Sequence, residues 1–381
     1  MSGCQRMEAA FSPEGAGDIP AVMCYEGIFI RDHWQQITDR PWWHLYSPDI
    51  DEQLEWTSQY LRRVNLDWCQ VTAFLPRSER QATGIEVADD AVYLVNSRTG
   101  ERRRLKPPRV GGWDPAGVSR AIRPGRLPET VQEVDQAIPT AMPFDAAAFA
   151  AEGRDGLARR KMSGPGKGLY PLAAATSAFN SLYWTWGFEG TMALVGERPD
   201  LARHACERVT DAAIQHVGLA AAIGAKAVWI EEMMTDMISP AAYERIVAPA
   251  LRRQIQATRN AGIRSIYYFC GNPWPKLEQI LSVGADALAL EESKKDFKID
   301  IEDVVKAVDG RCTVFGNLDA VGVLQDGSEE QLRAEIARQI AAGRANGSRF
   351  VTCLGSPVTP DTTVQRVRLY SDLAHELGRR R

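Results

Sequence analysis

The side chains best suited to chemistry stand at the ends of short apolar runs. Tyr268-Phe269-Cys270-Gly271 closes one run, and Cys353-Leu354-Gly355-Ser356 closes another. Glu231-Glu232, Glu291-Glu292 and Gly316-Asn317-Leu318-Asp319 end three more. If these runs are strands of one parallel barrel, two cysteines and four glutamates share its C-terminal rim, where barrel active sites lie. Thiolate and carboxylate both bind zinc, and three such ligands leave a fourth position for substrate. Thiolates favour zinc over magnesium or calcium. Cys270 and Cys353 are 83 positions apart (353 − 270), which alone fits two small buried residues equally well. Their shared place, last in an apolar run with a glycine close by, favours the metal reading. Glu231 and Glu232 are strand neighbours facing opposite sides, so one enters the mouth and the other is left to a cap or salt bridge.

The elements that must position these residues follow from periodicity. Apolar runs at 66–72, 169–175, 227–230, 265–269, 287–290, 313–315 and 350–352 read as buried strands. Helix-length segments separate the later ones, for example 199–223, 240–261 and 329–345. Ser239-Pro240 supplies a cap followed by proline at the first helical position. Continuous apolar strands alternating with helices imply a parallel sheet covered on both faces. Seven strands plus one still unassigned suit a closed (β/α)8 TIM barrel. Residues 84–105 interrupt that rhythm as a β-hairpin excursion. Residues 1–20, rich in Gly, Pro, Ser and Glu, are expected to be a flexible lead-in, with 21–381 as one barrel domain.

Composition narrows the partners. Among 381 residues, 45% are hydrophobic and 25% charged, with a net charge of −4 that offers no basic field to nucleic acid. The run Arg102-Arg103-Arg104-Leu105-Lys106 and the last three arginines lack interleaved aromatics, so they read as a solvated loop and tail. Met1 to Glu14 lacks a signal-peptide pattern, and the apolar stretch 212–228 is broken by Gln215, His216 and Lys226. The expectation is a cytoplasmic protein, with no membrane partner, whose seven cysteines are ligands or core residues. Cys24, Cys69, Cys206 and Cys312 are read as core, and Cys4 as part of the tail. Between 179 and 188 five aromatics fall in ten residues, which suggests a pocket wall of Tyr183, Trp184, Trp186 and Phe188. Ser163-Gly164-Pro165-Gly166-Lys167-Gly168 lacks the spacing of a phosphate loop.

From about Tyr170 onward the chain resembles the superfamily of uroporphyrinogen decarboxylase and the corrinoid-dependent methyltransferases. Four pieces carry the resemblance: Glu231-Glu232-Met233 with Ile238-Ser239-Pro240, Phe269-Cys270-Gly271, Gly316-Asn317-Leu318-Asp319, and Cys353-Leu354-Gly355 with Thr359-Pro360. The methyltransferase branch binds zinc through a His-x-Cys-Gly motif and a later Cys before Thr-Pro, matched here by Cys270 and Cys353. Cobalamin-independent methionine synthases look similar, with a glutamate between the cysteines where Glu292 falls. The resemblance therefore implies zinc on Cys270, Glu292 and Cys353. One departure stands out: Tyr268 occupies the place of the histidine, where it ligates as phenolate, lines the site or marks loss of the metal.

The implied activity moves a methyl group between a corrinoid (cobalamin) protein and a small-molecule thiol, methoxy or amine substrate. The corrinoid would come on a separate protein, because the chain lacks an Asp-x-His-x-x-Gly motif. Glu231, Glu232 and Tyr268 are the catalytic candidates. Asn317 and Asp319 join the aromatic wall as substrate-binding candidates, although Asp319 reads first as a loop anchor. A homodimer is the expected assembly. The alternative activity is a decarboxylase, yet its Arg-Gln-Ala-Gly-Arg motif has no counterpart, and the stretch 27–39 offers only Arg31. A metal-free, non-catalytic barrel is the third reading.

Overall fold

Trp68–Gln70 (β1) opens the main sheet of the computed structural model, which describes residues 1–112, 126–293 and 297–380. The chain then builds a separate antiparallel sheet from Thr83–Ala88 (β2), Ala91–Asn96 (β3) and Arg102–Leu105 (β4). This is the expected hairpin excursion with one strand added. The chain returns as Tyr170–Thr176 (β5), Ala227–Glu232 (β6) and Arg264–Phe269 (β7). Ala287–Leu290 (β8), Thr313–Phe315 (β9) and Phe350–Val351 (β10) complete the sheet. Its strands run parallel in the order β1-β5-β6-β7-β8-β9-β10. Helices such as Pro199–Ala222, Ala248–Asn260 and Glu329–Ala345 connect successive strands.

Among the described residues the sheet has seven strands, not the eight expected of a complete barrel. Residues 20–22 lie at both of its edges. Ala21 pairs in parallel with Thr352, the Val22 amide donates to the Thr352 carbonyl (2.8 Å), and the Thr352 amide donates to the Pro20 carbonyl (2.8 Å). On the other side the Asp67 amide donates to the Ala21 carbonyl (2.9 Å). The side chain of Asp67 fixes the junction by accepting from the Ala21 amide (2.8 Å), His375 Nε2 (2.9 Å) and Arg6. Burial alone would raise the pKa of this carboxyl; the His375 and Arg6 contacts outweigh it and hold the group below its ordinary range.

The first twenty residues are not the loose lead-in expected. Gly3–Phe11 is a helix begun by a Ser2–Gln5 capping box, and Met7, Ala10 and Phe11 on its inner face are buried. Phe11 stacks on Tyr170 of β5 at 6.0 Å and tilts against Phe315 of β9 at 6.3 Å. Thr313 Oγ1 donates to the Ala10 carbonyl (2.8 Å). Apolar positions at i, i+3 and i+4 let one short helix cover the entry ends of the strands. Trp68, Trp229 and Phe315 meet further along, with centroids 5.7–6.0 Å apart, and fill the space inside the sheet. Among the described residues no helix is long and apolar enough to cross a membrane.

Candidate active site

Strand alternation decides which rim residues face inward. Trp229 belongs to the interior aromatic group, so Glu231, two positions on, enters the mouth. Glu232 faces the surrounding helices and is completely buried. Burial pushes its carboxyl up to about 8, against the lowering effect of Ser177 and Tyr267; nearby Glu231 adds to the rise. Glu232 therefore belongs to the layer between sheet and helices, and the expected catalytic pair divides into one rim residue and one packing residue.

Glu231 accepts a hydrogen bond from the Tyr25 hydroxyl (2.5 Å). Tyr25 sits in the left-handed region at φ 56° and ψ 41°, and its ring meets Tyr268 edge-on at 5.8 Å. A bulky residue held there costs on the order of 1–3 kcal/mol, a strain that concentrates at functional sites. Tyr268 packs against Trp229 at 4.9 Å and donates to the Gly355 carbonyl (2.8 Å). Burial, with Cys270 and Cys24 nearby, drives its pKa far above the ordinary phenol value. Tyr268 thus lines the site with its hydroxyl committed to a backbone carbonyl.

Cys270 is half-buried just past β7, its amide bonded to the Glu232 carbonyl (3.0 Å). Burial raises its thiol pKa, and Glu291 and Glu231 raise it further. The next residue must be glycine: at φ 97°, a Cβ on Gly271 would come 2.3 Å from the Asp236 carboxylate. The Gly271 amide donates to Glu291 (2.9 Å), which ties the β7 and β8 loops together. Across the mouth Cys353 is buried, with its thiol directed at the Leu354 carbonyl (3.2 Å). Glu292, also buried, accepts from Ser356 Oγ (2.6 Å).

Cys24 joins this group, though its residue type and position suggested only core packing. Its buried thiol lies within electrostatic reach of Cys353, Glu292 and Cys270. Burial is the main cause of its strongly raised pKa, followed by Cys353. Glu26, two residues on, is buried beside Tyr60 and Trp68; burial pushes its carboxyl up to about 7 although Lys161 acts the other way. The sequence carried one usable signal here. Ala21-Val22-Met23-Cys24 is a short apolar run ending in Tyr25-Glu26, the same pattern that marks the other strand ends.

The remaining candidates divide. Asn317 donates to the Glu291 (3.0 Å) and Ile299 (2.7 Å) carbonyls, and Asp319 accepts from the Val321 and Gly322 amides (both 2.9 Å). Both side chains thus anchor loops. The aromatic wall does not form one surface. Trp186 is buried at 4% exposure, whereas Trp184 is 71% exposed and Phe188 39%. Helical residues one or two apart point in different directions, and Gly187 at φ 69° breaks the helix Ala178–Glu197 between them.

Cys24, Cys270, Cys353 and Glu292 have the donor chemistry of a zinc site. Among the described residues, however, no three His, Cys, Asp or Glu side chains are grouped as a metal ion requires. Cys353 turns to Leu354 and Glu292 to Ser356, so the expected ligands share a rim without forming a coordination sphere.

Residues 171–377, more than half of the chain, match the family model for uroporphyrinogen decarboxylase (URO-D). The chain belongs to the uroporphyrinogen decarboxylase family. The match begins in β5, so Cys24, Tyr25 and Glu26 fall outside it. The uroporphyrinogen decarboxylase of Xanthomonas axonopodis pv. citri is 27% identical over 196 residues, covering 49% of this chain and 53% of that protein. The one from Neisseria meningitidis serogroup C is 27% identical over 199 residues, covering 50% and 53%. The chain thus spans about half the length of the curated relatives it matches. Among solved structures, a methyltransferase from Methanosarcina mazei superposes with a TM-score of 0.66 over 99% of both chains at 14% identity, a likeness of fold.

Proposed function

We propose that this member of the URO-D family is a cytoplasmic methyltransferase. It moves a methyl group between a separate corrinoid protein and a small-molecule thiol, methoxy or amine substrate. In this reading residues 20–22 count as the eighth strand of a closed (β/α)8 barrel. One observation carries the reading: thiols from Cys24, Cys270 and Cys353 gather at one mouth with Glu231, Glu291 and Glu292. Cys270, Glu292 and Cys353 would hold zinc once Cys353 and Glu292 turn from their present partners. The chemistry zinc supplies when bound is stabilisation of a substrate thiolate at neutral pH, or polarisation of a methoxy or amine group.

The chain's own residues account for the rest. Tyr25 keeps its proton and holds Glu231 by a hydrogen bond at the rim. Tyr268 and Trp229 pack together as the floor of the mouth. Phe188 and Trp184 stand exposed on the helix that follows β5, where a flat corrinoid partner has apolar surface to meet.

The curated relatives' names favour a second reading, decarboxylation of a porphyrinogen. Metal analysis of the purified chain, followed by methylcobalamin with a simple alkanethiol, tests the first. About one zinc per chain and thiol-dependent loss of the methyl–cobalt absorption are expected. A metal-free protein that leaves methylcobalamin unchanged and decarboxylates uroporphyrinogen would overturn it.

A further inference from the structure

The basic run Arg102-Arg103-Arg104-Leu105-Lys106 reads in the sequence as a solvated loop, because no aromatic residue is interleaved with it. The fold places it differently. Residues 102–105 form β4, an edge strand of the antiparallel sheet, and Leu105 stands opposite Val92 of β3. Val92 in turn stands opposite Val87, so the three side chains share one face of that sheet. Val92 and Leu105 are buried, whereas Val87 is 57% exposed. These three line a cavity of about 740 Å³ together with Trp42 and Trp43, which supply the missing aromatics. Ligand pockets run to roughly 300–1,000 Å³, so there is room for one small molecule. The two indoles meet edge to face, with centroids 5.7 Å apart and planes at 85°, and Tyr46 meets Trp42 in the same manner. Among the described residues no ring stacks flat on either indole and no cation lies over one. Arg104, Lys106 and Arg109 line the same cavity against one acid, Asp90. Arg102 is already committed, over the Tyr93 ring at 3.3 Å and to Glu86 at 2.7 Å. The Arg104 and Lys106 side chains are exposed, and neither makes an ion pair or hydrogen bond among the described residues.

We propose that this cavity binds a small aromatic anion. Its flat ring lies against the Trp42–Trp43 pair over the valine and leucine floor, and its carboxylate, sulfonate or phosphate meets Arg104 and Lys106. An indole face takes a ring in offset stacking. A guanidinium grips a planar acid group through two parallel hydrogen bonds, and an ammonium adds a point charge. On a chain of net charge −4, this local excess of cations selects against the neutral ring alone. None of the residues of the Cys270 mouth lines the cavity, so the proposal stands apart from the methyltransferase reading.

Anilinonaphthalene sulfonate, titrated into the full chain and followed by its own fluorescence, is the probe, with phenylnaphthylamine as the same ring system lacking the acid. The wild type is expected to bind the sulfonate at one saturable site, about tenfold more tightly than the neutral amine, as one charge-assisted contact provides. Arg104→Ala combined with Lys106→Ala alters only exposed side chains, so the fold is kept; it should abolish that preference and leave the amine bound as before. Trp43→Leu should weaken both probes about fivefold through the lost stacking. Equal affinity for the two probes in the wild type, or undiminished sulfonate binding in either variant, would overturn the site. So would a wild type that binds neither probe.

Discussion

Replacing Glu232 with glutamine separates a rim catalyst from a buried packing residue. The carboxyl is completely buried, and its pKa is raised to about 8 from an unfolded value near 4.5. A group whose folded pKa is raised contributes stability that is fully present below the unfolded pKa and is lost as pH rises through the folded one. The wild type should therefore lose stability between roughly pH 4.5 and 8. At pH 7 the loss is about 2.5 pH units at 1.36 kcal/mol each, or about 3 kcal/mol. Glutamine has the same shape and no proton to lose. With an unfolding entropy of about 2.1 cal/mol/K per residue, a chain this long should gain about 4 °C in Tm at pH 7 from Glu232→Gln. The gain should fall close to zero at pH 4.5. Thermal melts of both proteins across that range are the assay, with methyl-transfer turnover measured alongside. A variant that is no more stable at pH 7 than at pH 4.5, relative to wild type, would refute the burial argument. Lost turnover in a well-folded variant would return Glu232 to the catalytic set.

The other predictions concern the frame. Asp67→Asn weakens the junction of residues 20–22 with β1 and leaves Arg6 and His375 facing a neutral amide; chemical denaturation should show a loss of about 3 kcal/mol at pH 7. Because the folded pKa of Asp67 is depressed, its contribution is present above about pH 4 and lost as pH falls through the folded value, so the difference should shrink in acid. An equal difference at pH 3 and pH 7 would count against the ion-pair account. Trp186→Ala should cost about 3–5 kcal/mol by opening a cavity, whereas Trp184→Ala should change stability by less than about 0.5 kcal/mol. Similar losses for both would restore the single aromatic wall.

The strands were legible because strands buried on both faces appear as unbroken apolar runs. Periodicity also indicated that only one of Glu231 and Glu232 enters the mouth; choosing between them required Trp229, whose inward position is a tertiary fact. Residues 20–22 escaped because the apolar run Ala21-Val22-Met23-Cys24 carries the strand-end pattern but is isolated from the later strand–helix alternation. The helix Gly3–Phe11 was hidden by its composition, although Met7, Ala10 and Phe11 already carried the right spacing. The aromatic segment failed for the opposite reason. Counting rings over 179–188 cannot say which way a helix turns them, and Gly187 resets the direction halfway.

The mouth itself argues about substrate. Among the described residues, the groups acting most on Cys24, Tyr25, Tyr268 and Cys270 are thiols, phenols and carboxylates, with no cation among them. A substrate bearing several carboxylates would meet like charge there. At an effective dielectric near 20, each unit charge 4 Å from a carboxylate costs about 4 kcal/mol. A tetrapyrrole acid would need that repulsion offset at every side chain it brought inside. A cation, or a neutral methyl carrier with a thiol, meets no such cost. The carboxylates of Glu231 and Glu291 near Cys270 thus weigh against a polyacid at this mouth.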